Sequence, residues 1–242
     1  DQRAYYACHA IYSHLTRIGY PATVIDEEDL HRGGVPEATK VLWLVRQEQP
    51  LSAATLSALK AFQKRGGQIL ATGDSRVELP GVTEVGGAVK DIWRLSGFHP
   101  ESHQDLWREF RETWREPLSK AMAETGLPVR ARTEPGRAFA VTMDVGSVRY
   151  VLVAQDTCGH HARDFVATRN LAVSLEGTDW SVRDLVHQRP IRKGELDGRT
   201  TLTLDLVNEP FAFLALYRSA PGAVRIERKG LLWRASVQSA DG

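Results

Sequence analysis

The stretch Lys40–Ser75, KVLWLVRQEQPLSAATLSALKAFQKRGGQILATGDS, limits the possible folds more than any other part of the chain. It reads as strand, loop, helix, strand: one βαβ unit. VLWLV is an unalternating apolar run, as a parallel strand covered on both faces requires. Ser52 is a good N-cap, and Leu51 and Leu56 take the N′ and N4 positions of a hydrophobic staple. Leu56, Leu59 and Phe62 mark one helical face, while Lys60, Lys64 and Arg65 lie elsewhere and toward the C-terminal end, where cations suit the macrodipole. Gly66-Gly67 supplies a left-handed stop, and QILAT begins the next strand at once.

Charge and composition remove several function classes. Thirty-one basic and thirty acidic side chains leave a net charge of +1, so no field steers the chain toward nucleic acid or an anionic membrane. No apolar run approaches the ~20 residues of a membrane span. Two cysteines in 242 residues, Cys8 and Cys158, allow at most one bridge and exclude a disulfide scaffold. The chain opens on a helix without an initiator Met or signal peptide, as expected of a piece of a longer protein.

In the first helix, over residues 3–18, Ala4, Cys8, Ile11, Leu15 and Ile18 recur at spacings of four and three, one apolar stripe. Cys8 on that stripe reads as a small core residue. Gly19 and Pro21 end the helix, and ATVID is expected as a short strand before a polar loop over residues 27–39. A doubly wound sheet normally begins with a strand, so a first strand is expected upstream of residue 1. Residues 77–100 read as loop with at most one helical turn. Helix resumes from Ser102 to Thr125, where Leu106, Phe110, Trp114, Leu118 and Met122 fall every four residues, a stripe read as buried. Pro117 is expected to break or kink it, or to start a second helix.

From Ala138 the period changes to two. AFAVTMDVGSVRYVLVAQD reads as a hairpin, with Phe139, Val141 and Met143 alternating on one strand and Val148, Tyr150 and Leu152 on the other. Further short strands separated by turn residues argue for an antiparallel β-sandwich. The expected fold is an α/β open parallel sheet over residues 1–135, then a β-sandwich over residues 136–242, divided near Pro135-Gly136.

Chemistry is sparse. No G-x-G-x-x-G and no P-loop occurs, so no nucleotide cofactor is expected. A nucleophile elbow would fall at the end of QILAT, but T72-G73-D74-S75 puts Asp74 at the projecting position and no glycine after Ser75. Ligands of open α/β sheets bind at the carboxyl ends of the strands. Arg46, Asp74 and Ser75 stand there and are the candidate ligand-binding residues. The bland alternative is that Asp74 caps the following turn and Arg46 is solvated. Cys158-Gly-His160-His161 with Asp164 is the densest reactive cluster, but its spacing matches no usual zinc site, and it reads as an exposed loop without metal. Trp180 and Trp233 are candidates for stacking on a sugar.

The order of these parts resembles the flavodoxin-like module of class I glutamine amidotransferase-like proteins. Within that group it is similar to the middle, trimerisation domain of family-42-type β-galactosidases. The likeness rests on R-x-Y-Y at Arg3–Tyr6, G-x-P at Gly19–Pro21, A-F-x-x-x-G-G-x-I at Ala61–Ile69 and T-G-D at Thr72–Asp74. In that family a small β-sandwich often follows, as residues 138–227 would. The resemblance implies a non-catalytic module whose catalytic carboxylates reside in an upstream barrel. The amidotransferase cysteine has no counterpart here, and no catalytic residue is carried over. The implied partners are other domains of the same larger protein, a second copy of the chain, or a carbohydrate. The rival readings are a carbohydrate-binding module and an amidotransferase-like hydrolase using Asp74 or Ser75.

Overall fold

The computed structural model describes residues 2–89, 100–133, 137–156, 168–218, 221–229 and 232–239. They form two compact units. The first runs to Pro128, apart from Gly19–Pro21; those three residues join the second, which continues from Val129.

In the first unit, β1 (Val41–Leu44), β2 (Gln68–Thr72) and β3 (Val82–Val85) form a parallel sheet in that order. Helix α3 (Ala53–Lys64) crosses between β1 and β2, with Ser52 as its N-cap: the Ser52 Oγ accepts the Thr55 N–H at 3.1 Å. Leu59, Phe62 and Ile69 are fully buried between helix and sheet. At Gly67 an added Cβ would meet the Phe62 ring at 2.3 Å, so the second glycine of the stop is there for space. β3 forms within a stretch expected to be loop, because Val82–Val85 lies in register with Ile69–Thr72 and completes the ladder.

Two expectations around the first helix change. α1 (Gln2–Arg17) forms with Ala10, Ile11 and Leu15 buried. ATVID does not become a strand: Val24 is 61% exposed, and Asp26 instead caps a seven-residue helix, α2 (Glu27–Gly33), in a capping box with Asp29. With acidic residues throughout its first turn, α2 has the charge pattern a helix N-terminus favours. Cys8 is a free thiol, and burial pushes its pKa up, the opposite of activation.

α4 (Pro100–Glu124) is one helix with Pro117 inside it. Phe110 and Trp114 before the proline, and Leu118 and Met122 after it, are all buried, so packing on both sides carries the helix through the missing hydrogen bond. Phe110 stacks on Trp114 with centroids 6.0 Å apart and meets His14 of α1 edge-on at 6.1 Å. The aromatic stripe is core. None of the helices among the described residues is long and apolar enough to cross a membrane.

The second unit is a β-sandwich. One antiparallel sheet has the order β10-β11-β7-β4, from Lys193–Leu196, Arg199–Leu204, Leu171–Glu176 and Ala131–Thr133. The other has the order β5-β6-β12-β8-β9, from Ala138–Val145, Val148–Gln155, Phe211–Tyr217, Ser181–Asp184 and Arg189–Pro190. β13 (Pro221–Lys229) and β14 (Leu232–Ser239) pair as a hairpin of their own. β4 pairs with β7, so sandwich structure begins ahead of the Pro135-Gly136 point expected from composition. The core joins Leu171, Val173 and Leu175 of one sheet to Val151, Val153, Leu214 and Leu216 of the other.

The expected hairpin β5–β6 forms, with Val141 opposite Leu152 and Met143 opposite Tyr150. Its inward residues are Ala138, Ala140, Thr142, Val151 and Val153. Phe139, Val141, Met143, Val148, Tyr150 and Leu152, the residues that reveal the alternation, therefore share the outward face.

Candidate functional site

At the carboxyl end of the parallel sheet the structure brings Arg46, Asp74 and Ser75 together with a residue the sequence reading passed over, Thr72. Thr72 ends β2 and is fully buried, so its hydroxyl needs partners. The Arg46 main-chain N–H donates to Thr72 Oγ1 at 2.9 Å, and that hydroxyl donates to Asp74 Oδ1 at 2.6 Å. The other carboxylate oxygen, Oδ2, accepts the Val89 N–H at 3.0 Å. Ser75 Oγ donates to the Leu44 carbonyl at 3.0 Å and accepts the Gln47 N–H at 3.0 Å.

Counting protons shows what this cluster can do. Each hydroxyl has one proton. Thr72 commits its proton to Asp74 and Ser75 commits its own to Leu44, so the 3.2 Å approach of the two hydroxyl oxygens is contact without a shared proton. No imidazole bonds Ser75 among the described residues, so no base is at hand to activate it. Arg46 turns its guanidinium to Glu48, Nε to Oε1 at 2.6 Å, and its backbone sits at φ 50°. That left-handed conformation turns the Arg46 N–H to the buried hydroxyl. Main-chain bonds from Arg76 to Gln47 (2.7 Å) and from Gly73 to Gly87 (3.1 Å) close the same knot. Three loops, after β1, β2 and β3, are thereby tied to one another.

A second polar group lies where α2 meets α3. His31 Nε2 is 3.0 Å from Thr55 Oγ1 and 3.3 Å from the N-cap hydroxyl of Ser52, and Thr55 donates to Glu27. Bonds from Thr55 and Ser52 hold the Glu27 carboxyl below its ordinary pKa. Neither Glu27 nor Thr55 belongs to a recognisable motif, because the pair spans a 28-residue separation that only folding closes.

In the sandwich, Trp180 is 5% exposed and is no platform for a sugar. Its indole N–H donates to the Glu176 carbonyl at 2.8 Å, and the guanidinium carbons of Arg218 and Arg149 lie 4.3 and 5.3 Å from its ring centroid. The side chain of Trp233 and the cluster Cys158, His160, His161 and Asp164 lie outside the described residues. Among the described residues no group of three or more His, Cys, Asp and Glu is placed to hold a metal ion.

Two carboxylates of the sandwich titrate below their ordinary range. Burial opposes ionisation of Asp184, but the His187 ring (2.6 Å) and the main-chain N–H groups of His187 and Val186 outweigh it. Asp144 is lowered by its bond from Arg149, against burial, with help from Arg130. A folded-state pKa below the unfolded one adds stability above the unfolded value and loses it as pH falls through the folded value. The sandwich is therefore expected to weaken steeply below about pH 4, the ordinary carboxylate range. Denaturation midpoints followed against pH should show a flatter acid limb for Asp184→Asn than for the parent. Parallel limbs would refute the assignment.

No protein-family model matches the sequence, and no curated protein matches it. Solved structures do. An α-L-fucosidase, isoenzyme 2, from Paenibacillus thiaminolyticus aligns with a TM-score of 0.55 at 13% identity, over 86% of this chain and 44% of that one. A β-galactosidase from Bacillus circulans sp. alkalophilus aligns at 0.46 and 13% identity, over 88% and 37%. An exo-carrageenase GH42 from Bacteroides ovatus aligns at 0.47 and 11%, over 87% and 26%. The chain spans less than half the length of each of these proteins. At such identities the likeness to the fucosidase is one of fold, an α/β unit followed by a β-sandwich.

Proposed function

We propose that this chain is the non-catalytic packing portion of a larger carbohydrate-active bacterial protein. In this reading the first unit is a flavodoxin-like, amidotransferase-like module that has kept the sheet and lost the chemistry. The observation that carries it is the closed knot at the carboxyl end of the sheet. Both oxygens of Asp74 and the hydroxyls of Thr72 and Ser75 are spent on one another and on main chain. A ligand would have to displace bonds that hold three loops. The shared fold with a fucosidase of more than twice the aligned length supports a parent in which other segments do the hydrolysis. The buried, doubly covered Trp180 removes one support from the carbohydrate-binding alternative.

The purified chain is expected to turn over none of a panel of aryl glycosides, esters and amides. Asp74→Ala and Thr72→Val should instead register as lost stability. Thr72→Val keeps the shape but strands the Arg46 N–H and an Asp74 oxygen, at a cost of about 1–3 kcal/mol in chemical denaturation. Hydrolysis of any panel member that disappears in Asp74→Ala would overturn the reading.

A further inference from the structure

The outward face of β5, β6 and β12 has the composition of an interior. Side chains alternate along each strand, and the pairings place Val141 beside Leu152 and Leu152 beside Phe213. All positions sharing that face are apolar or tyrosine: Phe139 to Val145 by twos on β5, Val148 to Ala154 on β6, and Phe211 to Tyr217 on β12. The open face of an antiparallel sheet is ordinarily polar. Here Met143 is 57% exposed, Val145 53%, Phe211 43% and Leu152 36%. Tyr150 and Phe213 stack across the strands with centroids 5.8 Å apart at 22°, which turns these rings toward each other and leaves no flat platform for a sugar.

We infer that this face is a two-fold interface between two copies of the chain. Charge is the first argument. These three strands place no charge on it, and Arg183 of β8, opposite Ala215, stands only at its edge. The patch therefore meets its own copy without like-charge repulsion at its centre and offers little to a nucleic acid or an anionic lipid surface. The charged groups at the end of the hairpin, Asp144 and Arg149, lie on the opposite face and bond each other. Polarity is the second: a saccharide needs directed donors and acceptors, and two tyrosine hydroxyls are all the face has. Area is the third. Three strands about 4.8 Å apart, with residues about 3.3 Å apart along them, make a face of roughly 14 by 25 Å. Two such faces stacked as sheets stack in a sandwich remove on the order of 1,000 Å² from water, the threshold for specific association. An isologous contact of this kind closes on itself and does not propagate. The inference goes beyond the packing role proposed above and does not depend on it, since a catalytic chain could pair through the same face.

Sedimentation velocity and light scattering of the full chain test it. A monomer–dimer equilibrium with a Kd on the order of 10 μM is expected for so small an interface. Leu152→Glu should weaken it by more than about tenfold, because the two-fold axis brings both copies of the new charge into the apolar patch. Leu196→Glu, on β10 of the other sheet and 64% exposed in the parent, should leave it unchanged. Should Leu152→Glu fail to fold, hydroxyl-radical footprinting of the parent decides: labelling of Met143 and Leu152 must fall as concentration rises. A monomer at all concentrations, footprints independent of concentration, or a dimer indifferent to Leu152→Glu would overturn the inference, as would occupation of the face by a different protein only.

Discussion

Gly19→Ala is expected to cost about 3–5 kcal/mol, enough to unfold the sandwich unit under conditions where the parent is folded. Two effects add. Gly19 sits at φ 90°, where an L side chain is strained by about 1–2 kcal/mol. An added Cβ would also lie 2.0 Å from the Ala131 carbonyl oxygen and 2.7 Å from Val129 Cγ1. Ala131 belongs to β4, whose pairing with β7 prevents the carbonyl from retreating, and Gly19 itself accepts the Arg130 N–H at 3.3 Å. Gly146→Ala separates the two effects. It too has a positive φ, 59°, but nothing lies within 4 Å of its added Cβ, so only strain is paid there. Denaturant midpoints should fall far more for Gly19→Ala. Equal losses at the two sites would show that the close approach contributes nothing.

Trp180→Ala should cost a similar amount, about 3–5 kcal/mol, by opening a cavity in the sandwich core. The indole also supplies the donor for the Glu176 carbonyl and the surface under two guanidinium groups. Trp180→Phe keeps a ring and loses the N–H, so about 0.5–1.5 kcal/mol, the net worth of one part-buried hydrogen bond, is expected for it. Indole fluorescence of the parent should not respond to soluble oligosaccharides. A mild effect of Trp180→Ala on stability, together with a saccharide-dependent fluorescence change, would restore Trp180 as a binding residue.

The βαβ unit was legible because its signals act over a few residues. The Ser52 hydroxyl meets the Thr55 N–H three positions away, and the Gly67 backbone meets the Phe62 ring five positions away. The failures have a common cause. ATVID has a strand's composition, but a strand needs a neighbouring ladder, and Asp26 found a capping role instead. Pro117 carries a helix-breaking signal, yet buried residues on both sides outweigh it. Of the candidate site, Arg46, Asp74 and Ser75 were found from their position at the strand ends. Thr72 and the Val89 main chain were not, because their bonds reach across loops.

Strand periods, helix caps, turn glycines and the change from period 3.6 to period 2 were written in the amino-acid order alone, since each depends on main-chain geometry and neighbours within a turn or two. Which face of the β5–β6 hairpin turns inward was decided only in three dimensions. The more uniformly apolar face is the one left outward, and the smaller residues of the other, Ala138, Ala140, Val151 and Val153, beside Thr142 and Gln155, are packed against the opposite sheet. Folding likewise gave the candidate ligand-binding residues other partners, Asp74 the Thr72 hydroxyl and the Val89 N–H, Ser75 the Leu44 carbonyl and the Gln47 N–H, and Arg46 the Thr72 hydroxyl and Glu48. Main-chain groups of separate loops become partners only once the sheet has brought those loops together.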